Sequence, residues 1–290
     1  MITSITISAP AKVNLTLDIK GKRPDGYHEL ETVMHQINLL DIITIEKQET
    51  GIEVVTSSEL VIDDETNLAY RAAALILEKY NCQAGVKINI QKNIPVGAGL
   101  AGGSTDAAAV LKGIRQLFDL PVDDRTLHEI GLALGSDVPF CLQGGTALAT
   151  GRGEILSMLP DSLVLTMVIV KPPYQVSTAE VYKAFRLEQV KRFPDTNAFI
   201  ESWFNCDMIG MCDHMENVLE SVTEEQYAEI KTIKNQLVQL GAIKSIMSGS
   251  GPSVLAIFDQ LAPAARAFEI IKKTCQETYI VSSYLKEGVL

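Results

Sequence analysis

The chain has 290 residues, 47% of them hydrophobic and 21% charged, and a formal net charge of −11 at pH 7. This length and composition predict a globular protein with two lobes, and an acidic charge without a basic stripe argues against nucleic-acid binding. No membrane span and no signal peptide are predicted, and the five scattered cysteines are typical of reduced thiols in a cytoplasmic protein.

The first motif along the chain runs from Pro10 to Ile19, where apolar residues alternate with polar ones. This period of two predicts a half-buried strand, with Lys12 and Asn14 together on its other face. A lysine on the exposed face of a strand is ordinarily solvated. If that face instead lines a cleft, the ammonium and the amide would point at one ligand. Further on, His35 lies in a segment of mixed polarity, which predicts an ordinary, partly exposed histidine.

A glycine-rich segment follows a helix predicted from about residue 67 to 80 and a strand predicted over Val86–Gln91. From Pro95 to Asp106 it holds four glycines within seven residues, before a helix that opens at Ser104. Glycines let a backbone approach a ligand closely, and the N–H groups at a helix start attract anions. The segment therefore predicts a site for the phosphates of a nucleotide.

Other glycine motifs compete with this interpretation. A Walker loop is excluded because no lysine follows a glycine in the segment. Gly97, Gly99 and Gly102 do spell the dinucleotide fingerprint, with Asp119 at about the spacing of a ribose carboxylate. However, Asn93 to Pro95 intervene before the first glycine, and Asp119 ends a predicted helix rather than a strand. A glycine-rich surface turn is the remaining alternative.

Two loops later in the chain carry further candidate residues. After helices predicted over Ser104–Phe118 and Asp124–Leu134, Asp137 lies in a tight loop. An aspartate there either forms the turn or is a carboxylate held for chemistry, and the local sequence favours the turn. Near the C-terminus, Ser248–Ser253 separates two apolar runs. This segment predicts a hairpin or, alternatively, a second glycine-lined wall of a site.

The C-terminal half is predicted to contain a buried strand over Leu163–Val170. A capping box at Ser177 opens a helix, and the same pattern at Thr223 opens a long helix. A helix over Leu261–Cys275 and a strand over Tyr279–Leu285 follow. Runs of strands and then of helices, without strict alternation, predict an α+β fold.

Three motifs occur in a characteristic order: Pro-Ala-Lys-Val-Asn-Leu from Pro10, Pro-x-Gly-x-Gly-Leu-x-Gly-Gly-Ser from Pro95, and Ser-Gly-Ser-Gly-Pro-Ser from Ser248. With them the chain resembles the GHMP small-molecule kinases. The resemblance implies a two-lobed α+β fold with ATP and substrate in the cleft between the lobes. It implies an N-terminal nucleotide-binding lobe over residues 1–160 and a C-terminal substrate-binding lobe over residues 161–290.

Two further motifs, Gly21–Leu30 and Gly135–Pro139, resemble those of GHMP kinases that act on a cytidine diphosphate-linked methylerythritol. The implied activity is ATP-dependent phosphorylation of the 2-hydroxyl of that small molecule, in non-mevalonate isoprenoid precursor synthesis. The alternatives are a GHMP-type kinase for mevalonate or homoserine, a non-catalytic sensor on the same scaffold, and a nicotinamide-binding oxidoreductase. Retention of both Lys12 and Asp137 argues against the sensor.

The resemblance also implies roles for individual residues. Asp137 corresponds to the general base, Lys12 to its cationic neighbour beside the acceptor hydroxyl, and Asn14 lies close by. Mg²⁺ is expected mainly on phosphate oxygens and water, with Ser104 or Thr105 as its protein ligand. No cluster with zinc-binding spacing occurs, so no structural metal is predicted. The ATP phosphates are expected along one continuous run: Pro95, Val96, Gly97, Ala98, Gly99, Leu100, Ala101, Gly102, Gly103, Ser104 and Thr105.

The cytosine of the acceptor is expected at Tyr27 by stacking and at His28 by hydrogen bonding. Met34 lies where an aromatic residue often completes this sandwich, and Tyr174 is expected to supply its other face. Ala101 replaces the glycine that is commonest at its place in the phosphate loop. The loop is expected to tolerate that methyl group unless the position needs a positive φ.

Overall fold

A computed structural model describes residues 2–285 of the chain. The chain divides into two units. The first holds Leu39–Val96, Ala101–Gly144 and the residues before Lys12; the second holds Lys12–Asn38, Gly97–Leu100 and the residues from Gly145 onward. The predicted boundary near Pro160 lies inside the second unit, and the assignment of nucleotide and substrate to two lobes stays a prediction.

Strands and helices are mixed along the chain, which confirms the α+β class. The strands are β1 Ser4–Lys22, β2 His28–Gln48, β3 Ile52–Thr56, β4 Gly85–Gln91, β5 Thr146–Gly151, β6 Ile155–Leu159, β7 Thr166–Val170, β8 Lys244–Met247, β9 Val254–Phe258 and β10 Thr278–Ser282. The helices are α1 Leu68–Lys79, α2 Gly102–Leu117, α3 Asp124–Leu134, α4 Val138–Gln143, α5 Thr178–Ala184, α6 Thr196–Phe204, α7 Met208–Asp213, α8 Glu220–Gln226, α9 Ala228–Gln239 and α10 Leu261–Ile271.

In the first unit, β3 pairs in parallel with β4, and the C-terminal part of β2 pairs antiparallel with β4. Helices α1 and α2 pack against each other beside these strands. The side chain of Asn67 caps α1 by accepting the Ala69 N–H at 2.8 Å. Buried residues then recur every three or four positions along α1, so its apolar face joins one core with α2 and the strands.

In the second unit, four strands form an antiparallel sheet in the order β10, β7, β9, β8. The predicted strand over Leu163–Val170 is confirmed as the central β7, although it begins at Thr166. The hairpin predicted for Ser248–Ser253 joins β8 to β9. The Ser177 hydroxyl caps α5 by accepting the Glu180 N–H, as the capping box predicts.

Two helix predictions for the C-terminal half were wrong. Thr223 does not cap a long helix but lies inside α8, where it is buried and its hydroxyl donates to the Leu219 carbonyl at 3.2 Å. A threonine can satisfy its hydroxyl on the preceding turn, so the capping-box pattern alone does not mark a helix start. The long helix α9 begins after Tyr227, and α10 ends at Ile271 rather than at Cys275. Within residues 2–285, no helix combines the length and apolarity that crossing a membrane requires.

Candidate active site

Strand β1 carries Lys12 and Asn14, and from Ala9 to Ile19 it is buried on both faces rather than on one. Lys12 is 5% exposed and Asn14 is 2% exposed. The Lys12 Nζ donates to the Asn14 Oδ1 at 2.7 Å. The spacing by two therefore does bring the ammonium and the amide together. The prediction of a half-buried strand was wrong, because residues distant in sequence cover the polar face.

Asn14 is held in one orientation by groups from other segments of the second unit. Its Nδ2 donates to the Thr32 hydroxyl at 2.8 Å, which fixes the amide oxygen toward Lys12. Its backbone N–H donates to the Ser248 hydroxyl at 3.3 Å, and that hydroxyl donates to the Gly99 carbonyl at 3.1 Å. One side chain, Ser248, thus joins β1 to the glycine-rich segment.

Gly99 marks a close approach of two backbones. Its φ is +72°, and a Cβ atom built on it would lie 2.4 Å from the Ser248 carbonyl oxygen. Both facts require glycine at this position. The neighbouring Leu100 accepts the Lys12 backbone N–H at 3.1 Å. Gly97–Leu100 is therefore fixed against β1 and against the Ser248–Ser253 hairpin, which supports the interpretation of that hairpin as a second glycine-lined wall.

The helix that follows, α2, begins at Gly102, two residues before the predicted start. Its N-cap residue is Ala101, which has φ +57° and ψ +31° and provides no side-chain cap. The position does need a positive φ, so Ala101 adopts a backbone conformation that glycine adopts at lower cost. The N–H groups of Gly102, Gly103 and Ser104 have no acceptor within the helix and are suited to bind an anion.

The two hydroxyls of the first turn differ in their use. Thr105 is 1% exposed, and its hydroxyl donates to the Pro10 carbonyl at 2.8 Å. Ser104 is half-buried. Of the two predicted metal ligands, Ser104 is therefore the one whose hydroxyl is not committed to a backbone carbonyl. Within the described residues 2–285, no group of three or more His, Cys, Asp or Glu side chains is arranged to hold a metal ion. A single hydroxyl fits an ion held mainly by phosphate oxygens and water.

Asp137 occupies the N-cap position of α4 in the first unit. Its φ of −83° and ψ of −17° are helical, and its side chain makes no capping hydrogen bond. It is half-buried. Asp137 thus lies in the turn that its local sequence predicts, but its carboxylate does not cap α4.

Two of the four predicted cytosine residues lie where β2 begins in the second unit, Tyr27 directly before the strand and His28 as its first residue. Tyr27 is 55% exposed, and the Arg152 guanidinium lies over its ring, 4.9 Å from the ring centre. His28 contacts the rings of Tyr182 at 5.3 Å and Phe185 at 6.3 Å. Burial, with a smaller contribution from the Lys22 ammonium, lowers the pKa of His28. The imidazole is thus neutral near pH 7 and can both donate and accept a hydrogen bond.

Sequence reasoning missed Tyr182 and Phe185, which lie in and directly after the helix opened by the Ser177 capping box. The two aromatic residues three positions apart were the available signal. Tyr174 instead stacks on Tyr227, with 4.9 Å between ring centres, and burial raises its pKa to about 12. Met34 is buried at 2% exposure. Contacts of Met34 and Tyr174 with a base stay predictions.

Comparison with known proteins identifies the family. Residues 67–145 match the GHMP kinases N terminal domain, and residues 206–277 match the GHMP kinases C terminal domain. The 4-diphosphocytidyl-2-C-methyl-D-erythritol kinase of Syntrophomonas wolfei is 54% identical over 285 residues, which are 98% of this chain and 100% of that protein. The chain belongs to this kinase family. The kinase of the same name from Acetivibrio thermocellus is 45% identical over 97% of this chain and 99% of its own length.

Solved structures agree with this membership of the 4-diphosphocytidyl-2-C-methyl-D-erythritol kinases. A crystal structure of 4-(cytidine 5'-diphospho)-2C-methyl-D-erythritol kinase has a TM-score of 0.84 and 34% identity, covering 97% of this chain and 100% of that one. Homoserine kinase from Cytophaga hutchinsonii has a TM-score of 0.77 at 19% identity over 98% of this chain and 96% of that one. That likeness concerns the fold alone. The resemblance to GHMP kinases is confirmed, and the chain is an ATP-dependent small-molecule kinase.

Proposed function

We propose that the chain transfers the γ-phosphoryl group of ATP to the 2-hydroxyl of 4-diphosphocytidyl-2-C-methyl-D-erythritol, in the synthesis of isoprenoid precursors without mevalonate. The observation that carries this proposal is the 54% identity, over 98% of the chain, to a relative of that name. The pairing of Lys12 with Asn14 on β1 supports it, because a kinase of this type needs a cation beside its acceptor.

Asp137 acts as the general base of the proposed reaction. As the acceptor oxygen forms its bond to the γ-phosphorus, its proton passes to the Asp137 carboxylate, and the bond from that phosphorus to the bridging oxygen of ADP breaks. Lys12 stabilises the charge that moves with the phosphoryl group. Because its Nζ already donates to the Asn14 amide, its position does not depend on the ligand.

The phosphates of ATP bind at the start of α2. The N–H groups of Gly102, Gly103 and Ser104 face the anion, and the positive end of the helix dipole favours it. Mg²⁺, when bound to these phosphates, supplies charge neutralisation, with the Ser104 hydroxyl as its protein ligand. Gly97–Leu100 forms the rest of the loop over the phosphates.

The cytosine ring stacks on Tyr27 and its edge is read by His28. The neutral imidazole suits this task, since cytosine offers both a donor and an acceptor. Tyr182 and Phe185 hold the imidazole in place by ring contacts. The cytidylyl group thus distinguishes this acceptor from a bare alcohol such as mevalonate.

The test is ADP formation by the purified protein with a panel of acceptors: the cytidylyl substrate, mevalonate, homoserine and galactose. We expect turnover with the cytidylyl substrate alone. Asp137→Asn should lower kcat by about 10²–10⁴, because the amide cannot take the proton. Asp123→Asn is the matched control, since Asp123 is the N-cap of α3 and asparagine caps equally well.

Three results would count against the proposal. Turnover with mevalonate or homoserine but not with the cytidylyl substrate would replace the acceptor. A normal kcat in Asp137→Asn would show that Asp137 is not the general base. No turnover with any acceptor in the panel would favour a non-catalytic sensor.

A further inference from the structure

A buried cluster of three charged side chains lies beside the phosphate segment and has no part in the proposed chemistry. It consists of Lys92, Asp41 and Asp106, whose side chains are 5%, 0% and 5% exposed. The Lys92 ammonium contacts the Asp41 Oδ2, and it donates to the Asp106 Oδ2 at 2.7 Å. All three residues belong to the first unit. Burial, opposed by the Lys92 ammonium but reinforced by the Asp41 carboxylate, raises the pKa of Asp106 to about 7.

The cluster fixes the chain where it enters the glycine-rich segment. The Asp41 Oδ1 accepts the backbone N–H groups of Asn93 at 2.6 Å and Ile94 at 2.8 Å. The Asn93 side chain donates to the Leu40 carbonyl at 2.7 Å. The residues immediately before Pro95 are thus tied to β2 by three hydrogen bonds, two of them to one buried carboxylate.

The same cluster fixes the chain where it leaves the segment. Asp106 lies in the second turn of α2, and through it the Lys92 ammonium is bonded to that helix. A Cβ atom built on Gly102 would lie 3.4 Å from the Lys92 Nζ and 3.3 Å from the Ile94 Cγ2. Lys92 and Ile94 therefore pack directly below the helix start.

A buried ion cluster is a poor way to gain stability, since removing three charges from water costs about as much as their attraction returns. Its advantage is geometric, because each charge accepts few arrangements of its partners. Here the arrangement connects both ends of the segment that carries the predicted phosphate ligands.

We propose that Lys92, held between Asp41 and Asp106, is a positioning residue that sets the distance between the two ends of the phosphate loop. The proposal rests on the proposed function, because it takes the loop to bind ATP. Lys92 does not touch the nucleotide; it acts through Asn93 and Ile94 on one side and through Asp106 on the other. One oxygen of Asp106, Oδ1, is buried with no hydrogen-bond partner among the described residues. The only hydrogen-bonded oxygen of this carboxyl group is therefore Oδ2, which accepts from the Lys92 ammonium.

This feature allows a matched pair of substitutions at one position. Asp106→Asn and Asp106→Leu have similar size and remove the same charge, but only asparagine keeps an oxygen that can accept from Lys92. Lys92 keeps Asp41 in both variants, so the interior holds a balanced pair. ATP affinity is measured by titration of Mg-ATP in the absence of any acceptor. Asp106→Leu should weaken binding at least tenfold, and Asp106→Asn should stay within about threefold of the wild type.

Three controls separate positioning from general stability. Ile114→Ala removes a buried side chain about two turns further along α2 and should leave ATP affinity unchanged. Lys87→Met removes an exposed lysine from β4 and should also have no effect. In the wild type, the Asn93 and Ile94 amides should exchange slowly with solvent deuterium without ATP, because a buried carboxylate accepts them.

Equal ATP affinity in the leucine and asparagine variants would overturn the proposal, as would an equal loss in Ile114→Ala. If Asp106→Leu fails to fold, Lys92→Met is used instead, because it also breaks the connection between the two ends of the loop. Fast exchange of the Asn93 and Ile94 amides in the wild type would overturn the proposal without any variant. Failure of the proposed function is recognised separately, since wild-type protein would then form no ADP with the cytidylyl substrate.

Discussion

His35 makes the stability of the second unit depend on pH. The ring was predicted to be partly exposed, but it is 3% exposed, with Nδ1 bonded to the Thr146 hydroxyl and Nε2 to the Ser283 hydroxyl, both at 2.8 Å. Burial lowers the pKa of His35 from 6.5 to about 4. In the unfolded chain, His35 is therefore protonated near pH 6.5, whereas in the folded chain it is protonated only near pH 4.

The sign and size of the effect follow from this difference. Well above pH 6.5, both states hold neutral histidine and no stability is lost. As the pH falls from 7.5 to 5, the free energy of unfolding should fall by about 2 kcal/mol because of this residue alone. Below about pH 4 the loss should level off, because the folded state then protonates as well.

The assay is urea denaturation at pH 7.5 and pH 5, followed by tryptophan fluorescence. The chain has one tryptophan, Trp203, and its ring lies 5.7 Å from the His35 ring, so the signal reports this region of the second unit. Other groups titrate in this range, so the comparison is with His35→Gln, whose amide can bond both hydroxyls but does not titrate. A wild type that loses no more stability than His35→Gln between the two pH values would refute the reasoning.

Four further predictions concern the site. Tyr27→Ala should raise KM for the cytidylyl substrate by an amount worth about 1–3 kcal/mol and leave KM for ATP unchanged. Tyr27→Phe should behave as the wild type. An equal rise of KM for both substrates in Tyr27→Ala would indicate misfolding instead. Lys12→Met should lower kcat, and the Lys12→Met/Asp137→Asn double variant should have a kcat only slightly below that of the slower single variant. Fully additive losses of kcat would show that the two residues do not act as a unit. Gly99→Ala should destroy ATP binding, because its Cβ atom would lie 2.4 Å from the Ser248 carbonyl oxygen. Gly103→Ala should fold normally, since its Cβ atom would lie 3.6 Å from the Leu68 Cδ1. The ATP affinity of the two variants is compared by calorimetric titration. Ala101→Gly should raise the free energy of unfolding by roughly 1 kcal/mol, since glycine tolerates the φ of +57°, and an unchanged urea midpoint would contradict this.

The sequence was most informative where a local pattern also sets the tertiary contact. The spacing of Lys12 and Asn14 predicts that they share one face, and their 2.7 Å hydrogen bond follows from that period. The burial of this face was not predictable, since Thr32 and Ser248, which cover Asn14, are 18 and 234 positions away in the chain.

The start of α2 was misplaced for a related reason. Gly102 and Gly103 have low helix propensity, and a prediction from local preference begins at Ser104. In the folded chain, Lys92 and Ile94 pack directly below Gly102, a tertiary contact that no propensity includes. The contact of His28 with Tyr182 likewise joins residues more than a hundred positions apart.

The interleaved order of the two units has a consequence for synthesis on the ribosome. The chain passes from one unit to the other at Lys12, Leu39, Gly97, Ala101 and Gly145. The residues of the first unit are complete once Gly144 has left the exit tunnel, whereas β7 must wait for β9 and β10, its neighbours on either side. A nascent chain that has released β7 from the tunnel but not β9 would therefore hold all residues of the first unit and an apolar strand without its neighbours. We expect cuts at the predicted boundary near Pro160 to yield an N-terminal fragment that folds in part and a C-terminal fragment that lacks Lys12–Asn38, Gly97–Leu100, β5 and β6 of its own unit.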